Sequence, residues 1–455
     1  MTVQSISAAR AKREASKRGT GGSLSEITAA EAFADEIRGK NIFETRSNTW
    51  YVEKNGIWHK DELLETRRDA QNFCKQLSEP GFASLKKVQA IEQLARCDQG
   101  ICVTTDVFDL DPYILGTPDG AVDLRTGNLS RPNPDLRLTM STSVVPNADC
   151  SIDRWLKFLG EVTGGDETQI CFIQQWFGYC LTGDTREQKL LFAYGSGRNG
   201  KGVLMDTIAG ILGSYAHSAQ ITTFASGAEG HPTDIAAMRG KRFVYASETE
   251  RGRHWAEAKI KQVTGGGKLR ARFMRQDEFE YTPNFKLVIN GNYEPLLETV
   301  DPAMKNRLYL LPFDRTFEGS AVDPMLCKKL EAEWPGILAW LIEGCLQWQN
   351  NGRFTVPEKV RTATDAYFDR QDTFGQWLAH ETVQAPGERD VNVKLFASWE
   401  KYAKNSGDKP GTLRSFSEQM QRKGFGKAEP RTIDGKSVRL YFGLRAFSSM
   451  PGSEY

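Results

Sequence analysis

Apolar and polar positions change period several times along this chain, and each change predicts an element. Residues 49–59 alternate as strands do and reverse at Asn55-Gly56, a pair that supplies the two positive φ angles of a tight hairpin. Residues 61–97 return to helical spacing, broken at Glu79-Pro80-Gly81. Turn residues and short apolar runs over 108–127 predict strands, and residues 155–181 read as one amphipathic helix. Lys189-Leu-Leu-Phe-Ala-Tyr194 predicts a buried strand and residues 203–212 a helix. Two more apolar strands follow, Arg242-Phe-Val-Tyr-Ala-Ser-Glu248 and Phe285-Lys-Leu-Val-Ile-Asn-Gly-Asn292. A stripe of Leu326, Leu330, Trp334, Ile337, Trp340, Leu341 and Cys345 predicts a core-packing helix. Helices over 393–402 and 413–423, then two short strands about 433–436, form a winged-helix pattern.

The chemistry concentrates between the first of those strands and its helix. There Gly195-Ser-Gly-Arg-Asn-Gly-Lys-Gly202 has the form of a phosphate cradle. Backbone N–H groups of Gly195, Ser196, Gly197, Arg198, Asn199, Gly200, Lys201, Gly202 and Val203 can converge on a polyphosphate, faced by the helix's positive end. Lys201 then reaches the β and γ phosphates. The next position, ordinarily Ser or Thr for Mg²⁺, is Gly202, so metal ligation falls to water and acidic residues. Glu248 ends an apolar strand, which in a parallel sheet puts it beside the loop to hold Mg²⁺ through water and polarise an attacking water. Glu250 is a reserve carboxylate. Asn292, at the end of the next strand, can orient that water from the other side. Arg307 precedes a further strand, where it can complete a neighbour's γ-phosphate site or form a structural ion pair.

Two stretches offer nucleic-acid contacts. Residues 259–275 hold Lys259, Lys261, Lys268, Arg270, Arg272 and Arg275 and no acid. Alternation of Lys268, Arg270 and Arg272 puts their charges on one strand face, which suits a phosphodiester backbone but also a solvated edge strand. In the C-terminal pattern, Arg414, Arg422 and Lys423 lie on the second helix, and Arg431, Lys436 and Arg439 on the wing. That module fits DNA or a protein partner. Asp109 and Asp111 have the spacing of a polymerase metal pair, but Pro112 and neighbouring turns read as a structural loop.

At 455 residues, 39% hydrophobic and 26% charged, the chain has room for several globular domains. A net charge of only +1 means that any nucleic-acid binding must use local clusters. No apolar run is long enough to span a membrane, and the polar N-terminus is not a secretory signal. The first 23 residues read as a solvated basic tail. Eight cysteines without a C-x-x-C pair point to reduced, buried thiols and away from zinc.

The order of these parts carries a resemblance. Phe108-Asp-Leu-Asp-Pro112, Gly120-Ala-Val-Asp-Leu-Arg-Thr-Gly127 and residues 178–189 precede the glycine loop. Ala246-Ser-Glu248, Lys261-Gln-Val-Thr-Gly-Gly266, Phe285-Lys-Leu287, Asn292-Tyr-Glu-Pro295, Arg307 and Leu311-Pro-Phe313 follow it. Over about residues 105–385 the chain resembles superfamily 3 helicases, specifically the helicase portion of the phage/plasmid primase family related to poxvirus D-type primase-helicases. The resemblance implies an α/β fold: an AAA+-type P-loop core on a central parallel sheet, preceded by an α+β and helical region and followed by the winged helix. The expected division is a tail (1–23), an N-terminal α+β region (24–107), a helical domain (108–186), the ATPase core (187–315), a helical lid (316–388) and the winged helix (389–455). It also implies ATP and Mg²⁺ as cofactors, Lys201 on phosphate, Glu248 as the acid, Asn292 as sensor, Arg307 as a finger acting in trans, and the basic hairpin at a pore. The implied activity is ATP-driven movement along single-stranded or forked DNA by a homo-hexameric ring. The setting would be replication of a phage, plasmid or similar element in a bacterial cytoplasm, without a membrane and with a separate primase or polymerase as partner. Gly202 and Gly267 depart from the family's usual hydroxyl and aspartate, and the region ahead of the core is too short for an expected primase domain. The rival expectation is an origin-binding initiator or regulator switched by nucleotide. A P-loop enzyme acting on a small molecule leaves the basic strand and C-terminal module without a role.

Overall fold

The computed structural model describes residues 24–77, 81–227, 232–248, 250–274, 277–297, 301–433 and 436–449. The basic tail and Arg275 lie outside the described residues. Helix α1 (Glu26–Ile37) begins where Ser25 Oγ accepts from the Thr28 N–H at 3.1 Å. Strands β1 (Asn41–Glu44), β2 (Thr49–Lys54) and β3 (Ile57–Lys60), helices α2 (Glu65–Gln76) and α3 (Leu85–Ala95), and β4 (Cys102–Val103) complete this module. Its sheet runs β3-β2-β1-β4. The hairpin turns where expected, with φ of 52° at Asn55 and 81° at Gly56.

A second sheet follows, β5 (Ile114–Thr117), β6 (Gly120–Asp123) and β7 (Asn128–Ser130). The Asp109 carboxylate accepts from the backbone and hydroxyl of Thr139, and Asp111 grips Arg125 at 2.8 and 3.0 Å. Both acids hold the loop together, the structural role expected of them.

The single helix expected over 155–181 is two, α4 (Asp153–Thr163) and α5 (Glu167–Cys180). Gly164 and Gly165 turn left-handed (φ 73° and 81°), and the Asp166 carboxylate caps α5 by accepting from the Thr168 and Gln169 N–H groups. The apolar stripe continues across the break, which is why periodicity alone merged them.

The central layer contains β8 (Leu190–Tyr194), α6 (Lys201–Leu212), β9 (Ala216–Ser218) and β10 (Phe243–Glu248). It continues with α7 (Glu257–Thr264), the hairpin β11 (Leu269–Arg272) and β12 (Glu278–Tyr281), then β13 (Lys286–Gly291) and β14 (Leu308–Pro312). Five strands form one sheet, β14-β8-β13-β10-β9, with every pair parallel. Such strands are covered on both faces, so they read as unbroken apolar runs. Helix α8 (Leu326–Asn351) lies in the main core, where Leu330, Ile337, Leu341 and Cys345 are buried beside α5 and α6. Leu115, Val122, Trp155 and Phe177 share that cluster with Leu191, Leu204 and Ile208, so residues 108–186 and the central sheet have one core.

Beyond α9 (Glu358–Gln371) come α10 (Thr373–Glu381), β15 (Thr382–Val391), α11 (Asn392–Asn405), α12 (Leu413–Arg422), β16 (Glu429–Ile433) and β17 (Lys436–Ala446). The sheet β15-β17-β16 and α10–α12 enclose Phe374, Trp377, Leu395, Trp399, Phe416 and Tyr441. The expected boundary at 388/389 therefore falls inside β15, a strand whose Pro and Gly hid it, and the C-terminal core starts at α10. Cys97 and Cys327 are exposed, contrary to the expectation of buried thiols. Among the described residues no helix is long and apolar enough to cross a membrane.

Two buried cations fasten α5 to the amino edge of the central sheet. The Lys286 ammonium donates to the Thr182 carbonyl and, at 3.3 Å, to that of Asp184, and sits 4.7 Å from the Tyr179 ring centre. Arg242 donates to the carbonyls of Leu181 and Ile114, both at 2.6 Å. Carbonyls at a helix's C-terminal end lack intrahelical donors and carry partial negative charge, so cations suit them. Burial drives the Lys286 pKa down to about 7. An unfolded lysine titrates near 10.4, so between about pH 7 and 10 the native state binds fewer protons and stability rises with pH. Lys286→Met removes that contribution. Chemical denaturation at about pH 7 and 9.5 should show a smaller gain with pH in the variant than in the wild type.

Candidate nucleotide site

Strand β8 ends at Tyr194, and the chain curls through residues 195–200 before α6 begins at Lys201. A Cβ on Gly195 would collide with the Phe313 carbonyl oxygen. Gly200 has φ 87°, and a Cβ there would lie 2.6 Å from Val162 Cγ1. These two glycines are required by shape. The loop is braced from the exit of β14: Asn199 Nδ2 donates to the Phe313 carbonyl at 3.2 Å, and the Phe317 N–H to that of Arg198 at 2.8 Å. Ser196 and Thr316 hydroxyls lie 3.0 Å apart. The first helical bond runs from Leu204 to Gly200, which leaves the N–H groups of Lys201, Gly202 and Val203 without intrahelical acceptors at the positive end of α6.

Lys201 is 5% exposed and donates to four oxygens: Gly195 O (2.6 Å), Asn199 Oδ1 (2.9 Å), Asn292 Oδ1 (3.2 Å) and Ser196 O (3.3 Å). None of these carries a charge, and burial lowers the lysine's pKa to about 8. Glu248 ends β10 beside Gly291 of β13, one residue before Asn292. It is 3% exposed; Oε1 accepts the Glu250 N–H at 3.0 Å, while Oε2 has no partner among the described residues. Lys201, Asn292 and Glu248 thus gather at the carboxyl edge of the sheet.

Arg307 does not join them. Leu308 is registered with Leu190 and Pro312 with Tyr194, so Arg307 stands at the amino edge. Five residues of strand put it roughly 16 Å from the loop at about 3.3 Å each. Its Nη1 donates to the Ala303 carbonyl at 2.8 Å, and its Nε has no partner among the described residues.

Among the described residues no group of three His, Cys, Asp or Glu could hold a metal by itself. A Mg²⁺ ion arriving with a nucleotide fits the unpartnered Glu248 Oε2, because Mg²⁺ is commonly held by one or two carboxylates, substrate phosphates and water. Gly202 contributes no hydroxyl, and a Cβ there would meet nothing within 4 Å among the described residues.

The alternation in β11 is as read, with Arg270 and Arg272 exposed and Leu269 and Ala271 buried. Its face is not purely cationic. Arg270 lies 3.7 Å from Glu280, and Arg272 is registered with Glu278, acids that enter only after the turn. Lys268 is exposed ahead of the strand. At the tip, Phe273 and Met274 are exposed and the Phe273 ring stacks on Phe279, 5.4 Å between centres. On α12, Arg414 pairs with Glu418 at 3.2 Å and Arg422 is exposed, while Lys423 just beyond is tied to Asp372. Of the residues expected on a wing, Arg431 pairs with Glu429 at 2.9 Å, and Lys436 and Arg439 are exposed.

Comparison with known proteins agrees with the order of parts. Residues 30–164 match the family described as "D5 N terminal like", and residues 193–307 match a "Family of unknown function (DUF5906)". A frog virus 3 protein provisionally named helicase 022R is 25% identical over 309 residues, 62% of this chain and 31% of the relative. An African swine fever virus protein provisionally named primase C962R is 21% identical over 326 residues, 64% of this chain and 34% of the relative. The chain thus spans about a third of the length of these relatives. The apo structure of the NrS-1 C terminal region (305-718) superposes with a TM-score of 0.54 at 12% identity, covering 93% of this chain and 100% of that one. That likeness shows a shared fold. Residues 30–164 thus resemble the D5 N-terminal-like family, and the chain is similar to proteins of large DNA viruses named as a helicase or a primase.

The two kinds of glycine in the loop separate experimentally. Gly200→Ala should cost about 1–3 kcal/mol through its collision and left-handed strain. Gly202→Ala, in helical backbone with open space, should leave stability unchanged or raise it by up to about 1 kcal/mol. Denaturant midpoints of the two variants measure the contrast.

Proposed function

We propose that this relative of the D5-like primase-helicases is an ATP-driven DNA helicase of a phage, plasmid or other mobile element. Its P-loop core works in a ring of identical copies, each ATP lying between two of them. The division of the site between the two edges of one sheet carries the reading. Lys201, Asn292 and Glu248 sit at the carboxyl edge and Arg307 at the opposite one, farther than a side chain reaches within a copy.

The cradle's N–H groups take the polyphosphate, and Lys201 exchanges neutral loop oxygens for charged phosphate oxygens. Glu248 orients a water for attack on the γ-phosphorus and accepts its proton as the bond to the bridging oxygen breaks, giving ADP and phosphate. Asn292, released from Lys201, holds the water from the other side. A Mg²⁺ ion held through Glu248 would supply charge neutralisation on the phosphates. A neighbour's Arg307 stabilises the transferring group, a contribution of roughly 10³–10⁵ in rate where such arginines are used. Lys268, Arg270 and Arg272 on the hairpin face single-stranded DNA, and the C-terminal module, read as a winged helix, offers Arg414 and Arg422 to DNA. The missing hydroxyl at Gly202 favours a second reading, a nucleotide-switched origin-binding initiator with little turnover.

ATP hydrolysis with and without single-stranded DNA, and strand displacement on a forked duplex, decide between them. The helicase reading expects DNA-stimulated turnover that Lys201→Ala abolishes; stimulated turnover surviving in that variant refutes the site. Lys201→Ala and Arg307→Ala copies, each inactive alone, should regain activity when mixed, and no recovery would exclude an arginine working between copies. Replacing Arg270 and Arg272 with Ala should weaken single-strand binding and flatten its log–log salt slope by roughly 0.7 per lost contact. An unchanged slope removes the hairpin from the DNA path.

A further inference from the structure

Past Glu248 the chain turns back to the same edge and delivers a guanidinium that the reading above does not use. Arg253 Nε lies 4.0 Å from Glu248 Oε1 and donates to Glu250 Oε2 at 3.1 Å, with Nη2 on that same oxygen. Its remaining nitrogen, Nη1, is buried and has no partner among the described residues, as is true of Glu248 Oε2. The backbone around Arg253 is fixed. The Leu296 N–H donates to the Arg253 carbonyl at 3.0 Å, and the Trp255 N–H to the Leu296 carbonyl at 3.1 Å. Trp255 is fully buried, its ring edge-on to Phe192 of β8 at 5.3 Å. The arginine is therefore presented from a segment laced to the chain just beyond Asn292.

The charges around Arg253 differ in weight. The Glu250 side chain is 66% exposed, and ion pairs with such groups contribute little. The Glu248 side chain is 1% exposed, and a buried carboxylate with one N–H donor is costly unless a cation compensates it.

We propose that Arg253 is a positioning residue for the hydrolytic step, holding the Glu248 carboxylate in the orientation that receives the proton of the attacking water. Glu250, 66% exposed, contributes little to holding the guanidinium and takes no part in the chemistry. This rests on the reading of the site as an ATPase.

The test uses the full chain, with ATP turnover and the affinity of a fluorescent ATP analogue measured for wild type, Arg253→Lys, Arg253→Ala, Glu250→Gln and Lys201→Ala. Arg253→Ala should lower kcat by about 10–100-fold, as loss of such supporting partners does elsewhere, while analogue affinity stays within about threefold. Arg253→Lys should recover part of the loss, and Glu250→Gln should stay within about threefold of wild type. If Arg253→Ala does not fold, Arg253→Lys carries the test: lowered kcat at intact affinity supports the role, and wild-type kcat overturns it. Unchanged kcat in Arg253→Ala, affinity lost in proportion to kcat, no gain from lysine over alanine, or an equal loss in Glu250→Gln would each overturn the proposal. Failure of the parent reading looks different, with wild type not hydrolysing ATP or Lys201→Ala hydrolysing it normally.

Discussion

The structure turns on a buried ammonium whose partners are all neutral oxygens. Lys201 is enclosed by a loop in which Gly195 and Gly200 are demanded by contacts with Phe313 and Val162, and its proton donors meet four neutral oxygens. Burial without a counter-charge weakens its hold on the proton. Negative charge placed in the cradle reverses that tendency and competes with the loop's carbonyls for the lysine. Under the proposed function the same arrival would free Asn292 at the tip of β13 from its bond to Lys201, so recognition of an anion and rearrangement of a neighbouring strand end would be one event. Little else in the sheet has to move. Its parallel strands are packed on both faces, and the loop is braced from β14 rather than left to fluctuate.

The amino edge shows the complementary arrangement. Lys286 and Arg242 are buried cations like Lys201, but their partners are carbonyls of Leu181 and Thr182, just past α5, and of Ile114 in β5. These partners belong to the same chain and stay in place, so the edge is closed and serves to join the preceding helices to the sheet. Arg307 on that edge is different. Its Nε is unpartnered among the described residues, and its Nη1 has only the Ala303 carbonyl of its own helical turn. One sheet therefore has a fixed cationic seam and a half-engaged guanidinium at its amino edge, and a buried ammonium held only by neutral oxygens at its carboxyl edge.

What could be read from the residues was local. Asn55-Gly56, the glycine loop, and the apolar runs of β8, β10 and β13 each contain their own explanation within a few positions. The Gly164-Gly165 break lay hidden because the stripe on either side keeps phase, and β15 because no strand-former pattern runs through its centre.

 Pro386 and Gly387 interrupt the strand signal, and the structure accommodates them at a register shift between Gln384 and Arg389 in the pairing with β17. The rest depended on partners distant in sequence. Glu278 and Glu280 balance the arginines of β11 from across a turn, and Asp372 captures Lys423 from about fifty positions away. The brace from residues 313–317 and the approach of Arg253 to Glu248 leave no periodic trace, because they are set by how loops at one sheet edge meet.

The loop's last glycine links these themes. Gly195 and Gly200 are held by collisions, but the space beside Gly202 is open and its backbone is helical, so the fold does not require glycine there. A hydroxyl would have added a fixed oxygen beside the phosphates. Without it, under the proposed function, the Glu248 Oε2, which has no partner among the described residues, would both meet a cation arriving with the nucleotide and hold the attacking water. One buried group then serves two purposes, and its orientation matters more than it would in a site with a second oxygen ligand. A guanidinium 4.0 Å from Oε1, carried on backbone fixed to the Asn292 side of the site, is the kind of support such a carboxylate needs.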